Sequence, residues 1–154
     1  MTPSQARNSI KKCLKTLIDP KPKNNEKDKI WAYFKNECAY CGVQLTKESR
    51  IGHIDHLYSE MEGGSNRLSN LVLTCATCNG DEKRELEWED FLSQKCGVNQ
   101  EYFEKRKNRI LRWIDQNEGK PKLSDVEIET LAHEFKLVNF ALTESVDRMR
   151  KNKM

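Results

Sequence analysis

Two Cys-x-x-Cys pairs, Cys38/Cys41 and Cys75/Cys78, constrain this chain more than any other feature of its 154 residues. Each two-residue spacer lets one tight turn offer two sulfurs to the same ion, and four soft thiolates suit tetrahedral zinc. A thioredoxin-like redox site would need one pair and a βαβ setting. The spacing therefore predicts a structural zinc held by Cys38, Cys41, Cys75 and Cys78, while Cys13 and Cys96 read as small buried hydrophobes. The gap from Cys41 to Cys75 holds 33 residues, more than a plain zinc ribbon needs, so a further element is inserted into the knuckle.

The surrounding pattern is mixed. Ile10, Cys13/Leu14 and Leu17/Ile18 recur at helical spacing, with Asp19-Pro20-Lys21-Pro22 as a stop, which predicts an amphipathic helix over 2–18. Residues 19–28 read as a linker, and Ile30-Trp31-Ala32-Tyr33-Phe34 as a short apolar anchor ahead of Cys38. Ile51 to Tyr58 and Leu71-Val72-Leu73 read as two strands of a hairpin, joined by a long loop through Glu62-Gly63-Gly64-Ser65-Asn66. Beyond Cys78, residues 79–89 favour a helix, Phe91-Leu92 adds an anchor, and Gly97 is a cap. A helix from Asn99 runs to a stop at Gly119 and Pro121. A longer one starts at the capping box Ser124-x-x-Glu127 and carries Ile128, Leu131, Phe135, Val138, Leu142, Val146 and Met149 on one side. Trp88, Trp113, Tyr102 and Phe103 stand beside aliphatics and read as core.

With 33% charged residues and only 36% in the AVILMFWYC set, a large share of the chain must face water. The longest apolar run is far short of a membrane span, and no signal peptide stands near the lysine-rich start; the expected location is cytoplasmic. Net charge is only +3, but its distribution is uneven: +6 over residues 1–36, −5 over 37–100, +3 over 101–122 and −1 over 123–154. A divalent ion among four thiolates makes the acidic middle more negative still, so a polyanion would be held by the flanks. Lys105, Arg106, Lys107, Arg109 and Arg112 on one helix and Lys11, Lys12 and Lys15 on another are the candidate phosphate contacts.

Within the knuckle stand Asp55-His56-Leu57, Gly63-Gly64, Asn70-Leu71-Val72-Leu73 and Cys75-Ala76-Thr77-Cys78-Asn79, after Cys38-x-x-Cys41. In this combination the sequence resembles the HNH endonuclease family, nucleases of the ββα-metal fold with a four-cysteine zinc knuckle, over about residues 38–84. The resemblance implies that His56 is the general base, that Asp55 and Asn79 hold a catalytic Mg2+ or Mn2+, and that Asn70 holds the loop that orients the base. It also implies DNA as the partner and substrate. These roles suit phosphodiester hydrolysis, which needs a nucleophile and neutralisation of charge on the phosphoryl oxygens. The chain departs from the family at Ser59, where proline is common, and at Glu82-Lys83, where the family's basic residue stands one position earlier; Lys83 is the candidate phosphate contact there.

The expected fold is α+β: a treble-clef-like ββα-metal zinc-knuckle core over 37–97, an N-terminal helical extension and linker over 1–36, and a C-terminal helical region over 98–154. In a regular strand Asp55 and His56 face opposite sides, so they share a site only if the strand ends or bulges there, and His53 is the rival histidine. His133 reads as a surface residue. Two other functions stay open beside the nuclease: a catalytically silent zinc-knuckle DNA-binding module, and a nuclease subunit whose long C-terminal helix docks a protein partner or a second copy in a defence or restriction assembly.

Overall fold

The computed structural model describes residues 2–48, 50–83 and 86–152. In chain order the elements are α1 (Pro3–Ile18), α2 (Asn24–Tyr33), β1 (Gly52–His56), β2 (Leu71–Cys75), a π-helical turn (Thr77–Glu82), α3 (Trp88–Cys96), α4 (Gln100–Gln116) and α5 (Asp125–Lys151). They form two compact units, residues 21–122 and the pair of segments 1–20 and 123–154. This is an α+β protein with a small two-stranded sheet, as the sequence implied.

The cysteine-bearing unit is built around an antiparallel β1–β2 pair whose register runs from Gly52↔Cys75 to His56↔Leu71 without a bulge. All of β2 is buried, while β1 is half-exposed along its length, so the sheet turns one strand inward and offers the other to the surface. Phe34, Tyr40, Leu45, Leu57, Phe91, Leu92 and Ile110 fill the interior around β2. Trp113 belongs to the same core, its Nε1–H shared between the carbonyls of Leu68 and Leu71 at 2.8 Å each. Trp88 is buried too, and Tyr102 and Phe103 pack against the cluster, which confirms the core reading of these aromatics.

Three local readings change. Residues 24–28 are the first half of α2, capped by the Glu26 carboxylate on the Lys23 N–H at 2.7 Å; this stretch carries no apolar period because only Ile30 and Trp31 of the helix are buried. Residues 79–89 do not form one helix: the π-helical turn closes at Glu82, residues 84 and 85 lie outside the described residues, and α3 begins at Trp88. Cys13 is exposed, whereas Cys96 is buried as expected.

Arg106 also departs from expectation. Instead of facing phosphate it is 7% exposed, donates from Nη1 to the carbonyls of Cys38 (2.8 Å) and Ala39 (3.1 Å), and stacks 4.4 Å from the Tyr102 ring centroid. Gly42 makes room for it: the residue sits at φ +78°, and a Cβ there would lie 1.9 Å from Arg106 Nη2. The guanidinium thus braces the first cysteine turn from behind. Arg109 is likewise engaged, with Glu37 at 3.0 Å and the Tyr33 carbonyl at 3.0 Å. Lys107 pairs with Glu89. Lys105 and Arg112 are exposed and have no ion pair among the described residues.

In the second unit α1 packs along α5. Arg7 ties them, Nε to Asn139 Oδ1 at 2.9 Å and Nη2 to Thr143 Oγ1 at 3.2 Å. The Ser124/Glu127 capping box starts α5 as the sequence predicted, and His133 is exposed on it. Neither helix buries a residue fully. No helix among the described residues is long and apolar enough to cross a membrane.

Candidate active site

The four paired cysteines converge. Their sulfurs all lie within 4.8 Å of one another, and Cys41 Sγ is 3.7 Å from Cys75 Sγ. A tetrahedron with Zn–S bonds of about 2.3 Å has edges of about 3.8 Å, so the cluster has the size of a zinc tetrathiolate. The Cys78 N–H points at Cys75 Sγ at 3.5 Å, as expected where a sulfur carries negative charge. Without a cation the thiols compete for protons: hydrogen bonds from Cys41 and Cys78 hold Cys38 far below the usual thiol range, and donating to Cys38 pushes Cys41 up to about 11 and Cys78 further up. A divalent ion removes that conflict by taking all four as thiolates. Cys38, Cys75 and Cys78 are buried and Cys41 is half-buried, with all four positions supplied by protein, so such a site is structural.

Asp55 and His56 are the last two residues of β1. The strand stays regular to its end, so its alternation holds. Gly52, Ile54 and His56 share one face, and Asp55 turns to the other, toward Lys83. Lys83 is 4% exposed; its Nζ donates to the His56 carbonyl at 2.8 Å and stands 3.6 Å from Asp55 Oδ2. It therefore fastens the end of β1 from beneath instead of presenting its charge on the surface, which corrects its reading as an exposed phosphate contact. The reach is set by the π-helical turn, where the Lys83 N–H bonds to the Cys78 carbonyl five residues back and the wider turn accommodates one extra residue. Asn79 lies half-buried in the same turn.

Burial raises the Asp55 carboxyl above its ordinary range, against the opposing pull of Lys83. A partly desolvated carboxylate gains from a nearby cation, which is the donor chemistry a hard divalent ion needs. Tyr40, between the first two cysteines, is fully buried with no partner for its hydroxyl among the described residues, and the negative charge of Asp55 adds to the effect of burial in raising it.

Asn70 is fully buried and closes the loop that follows β1. Its Oδ1 accepts from the Tyr58 N–H at 2.9 Å, and its Nδ2 donates to the Tyr58 carbonyl at 3.0 Å and the Ser65 carbonyl at 2.8 Å. The Leu57 N–H bonds in turn to the Asn70 carbonyl at 2.8 Å. Asn70→Ala removes three hydrogen bonds of a fully buried side chain and is expected to cost about 2–4 kcal/mol. The expected result is a melting temperature lowered by several degrees, measured by calorimetry; a value unchanged within error would mean that the loop closes without this side chain.

The closed loop brings in a residue that sequence reasoning missed. Asn66 Oδ1 lies 3.1 Å from His56 Nε2. An amide oxygen only accepts, so in this contact His56 Nε2 is the donor. An imidazole held in one orientation at the edge of a cleft is placed for proton abstraction from water. The structure thus groups His56 with Asn66, and Asp55 with Lys83, at one strand end. His53 borders the same cleft as His56, with its carbonyl accepting from the Thr74 hydroxyl at 3.4 Å.

Comparison with known proteins bears on the same segment. Residues 38–85 match the family described as HNH endonuclease. The chain is 26% identical over 143 aligned residues to the SPbeta prophage-derived protein YoqL of Bacillus subtilis (strain 168), which carries the HNH endonuclease name; the match covers 82% of this chain and 57% of that protein. No solved structure matches the chain.

Proposed function

We propose that this chain is a metal-dependent DNA endonuclease in which His56 is the general base for hydrolysis of a phosphodiester bond. The observation that carries the reading is the His56–Asn66 contact at the end of β1, because it holds the imidazole by Nε2 in an open cleft. Asn66 and the Asn70-clamped loop orient the ring, and Lys83 fixes the backbone that bears it. His56 Nδ1 accepts the proton of the attacking water.

Asp55 and Asn79 would hold a divalent cation, Mg2+ or Mn2+, through a carboxylate and an amide oxygen. When bound, such an ion supplies charge neutralisation at the phosphoryl oxygens. The zinc of the four cysteines is separate and structural. Exposed Lys105 and Arg112 are the candidate phosphate contacts of α4, since Arg106, Arg109 and Lys107 are engaged within the protein.

The test is cleavage of supercoiled plasmid by the zinc-loaded chain with Mg2+, with Mn2+ and with excess citrate, a weak chelator that spares a tetrathiolate zinc. Cleavage with either ion and none with citrate is the expected outcome. Equal cleavage in all three would remove Asp55 and Asn79 as metal ligands. DNA binding with no cleavage under any condition would put the silent zinc-knuckle module first.

One observation favours a second reading, a nuclease subunit working with a partner or a second copy. The α5 helix exposes Val126 (71%), Leu137 (53%) and Phe140 (68%). The chain also spans about 57% of the length of the relative it matches.

A further inference from the structure

Beside β1 lies an open cleft of about 440 Å³ whose walls include His56, Asn66, His53, Trp31, Lys21 and Lys27. Among the described residues no carboxylate lines it. Lys21 and Lys27 are exposed and have no ion pair among the described residues. The acidic residues of α2 are turned to other work: Asp28 pairs with Lys47 at 2.6 Å, and Glu26 caps the helix. The cleft therefore presents two unopposed ammonium groups on the histidine face of the strand.

A close packing contact puts them there. The Trp31 indole lies directly on Gly52, where a Cβ would come within 2.4 Å of its ring. Only glycine admits this approach, and it sets α2 against the face shared by Gly52, Ile54 and His56. Both lysines precede residue 38 and so lie outside the segment that matches the nuclease family.

We propose that this cleft seats the sugar–phosphate backbone of the DNA strand beside the bond to be cleaved, with Lys21 and Lys27 as its phosphate contacts. The proposal rests on the nuclease reading for the identity of the polyanion. Backbone phosphates are the ligand that fits: the cleft is open, and its walls carry two lysines together with the histidine that must meet the scissile bond. Two ammonium groups there also offset the acidic middle of the chain, which carries −5 over residues 37–100. Lysines on a flexible stem act as point charges for phosphate and do not read bases, so the contact serves affinity and placement without sequence preference.

The test uses the full zinc-loaded chain and a fluorescent 20-base-pair duplex, without Mg2+ or Mn2+, titrated by anisotropy at several salt concentrations. For Lys21→Ala/Lys27→Ala, roughly tenfold weaker binding is expected, with the slope of log affinity against log salt reduced by about 1.8, or about 0.9 per lost phosphate contact. Lys21→Arg/Lys27→Arg should restore both, and Lys136→Ala/Lys151→Ala, which removes equal charge from α5, should change neither. Under cleavage conditions the alanine pair should raise KM and leave kcat within about twofold.

A wild-type slope in the alanine pair, with wild-type protein binding the duplex, would overturn the cleft assignment and leave the nuclease reading intact. Binding that shifts as expected while wild-type protein fails to cleave would support the cleft and overturn the nuclease reading. Absence of duplex binding by wild-type protein would overturn both.

Discussion

His56→Ala is expected to lower plasmid cleavage by about 10²- to 10⁴-fold, the range in which a positioned general base contributes. The fold should survive, because the substitution removes neither the hairpin register nor the Lys83 bond, which is made to the His56 carbonyl and not to its ring. Binding should survive too, since no ammonium or guanidinium group is lost. Cleavage, melting temperature and duplex affinity measured on one preparation separate these three expectations. Asn66→Ala supplies the intermediate case. It leaves the imidazole but frees its tautomer and its orientation, so kcat should fall by a smaller factor, about tenfold, at similar affinity. Cleavage near the wild-type rate in His56→Ala would remove His56 as the base and leave His53, on the Asp55 face of β1, as the remaining histidine of the strand.

How much of this was legible in the sequence depended on whether a feature is local. The cysteine spacing and the capping box are set by neighbours within four residues, and both appear as read. Strands β1 and β2 were legible because β-branched and apolar residues fill a short run between turn signals. The first half of α2 was not. Its residues are exposed and polar, and what holds the helix in place is Ile30, Trp31 and Phe34, buried at its far end. Basic residues were the least legible class, because a charge run looks the same whether it meets solvent, backbone carbonyls or phosphate. Arg106 is buried against the first cysteine turn only because Gly42 leaves space for it, and nothing within the α4 sequence says so.

Asn66 shows where a signal was present. The run Gly63-Gly64-Ser65-Asn66 announces a turn, with Gly63 at φ +80°. A Cβ at Gly64 would stand 1.9 Å from the Tyr58 carbonyl oxygen, so the loop doubles back onto its own start. A glycine needed for that return implies that residues just after it lie beside the end of β1, where His56 is. The strand alternation of Asp55 and His56 was also legible, and no bulge relieves it: the two side chains are served by different partners, Lys83 for one and Asn66 for the other.

The four-cysteine metal site has the largest effect expected on stability. Cys38 and Cys41 lie in a turn that carries Tyr40 into the core, Cys75 ends β2, and Cys78 lies in the π-helical turn that Lys83 follows. One ion among these sulfurs therefore ties the first turn to the sheet and fixes the segment bearing Asn79 and Lys83. The unfolded chain has no such site, so the binding free energy becomes folding free energy, about 10–16 kcal/mol for comparable structural zinc sites at neutral pH. That exceeds the whole stability of many domains of this size, roughly 5–15 kcal/mol. Elemental analysis should return one zinc per chain, and a strong chelator or Cys78→Ser should abolish cooperative unfolding of residues 21–122, seen as loss of the near-ultraviolet signal of Trp31, Trp88 and Trp113. Cys96→Ser is the control: Cys96 is buried but outside the cluster, so its loss should cost far less and leave the zinc count at one. A chain free of zinc that melts as sharply as the metal-loaded one would show that the hydrophobic core around β2 suffices, and that the four cysteines converge for another reason.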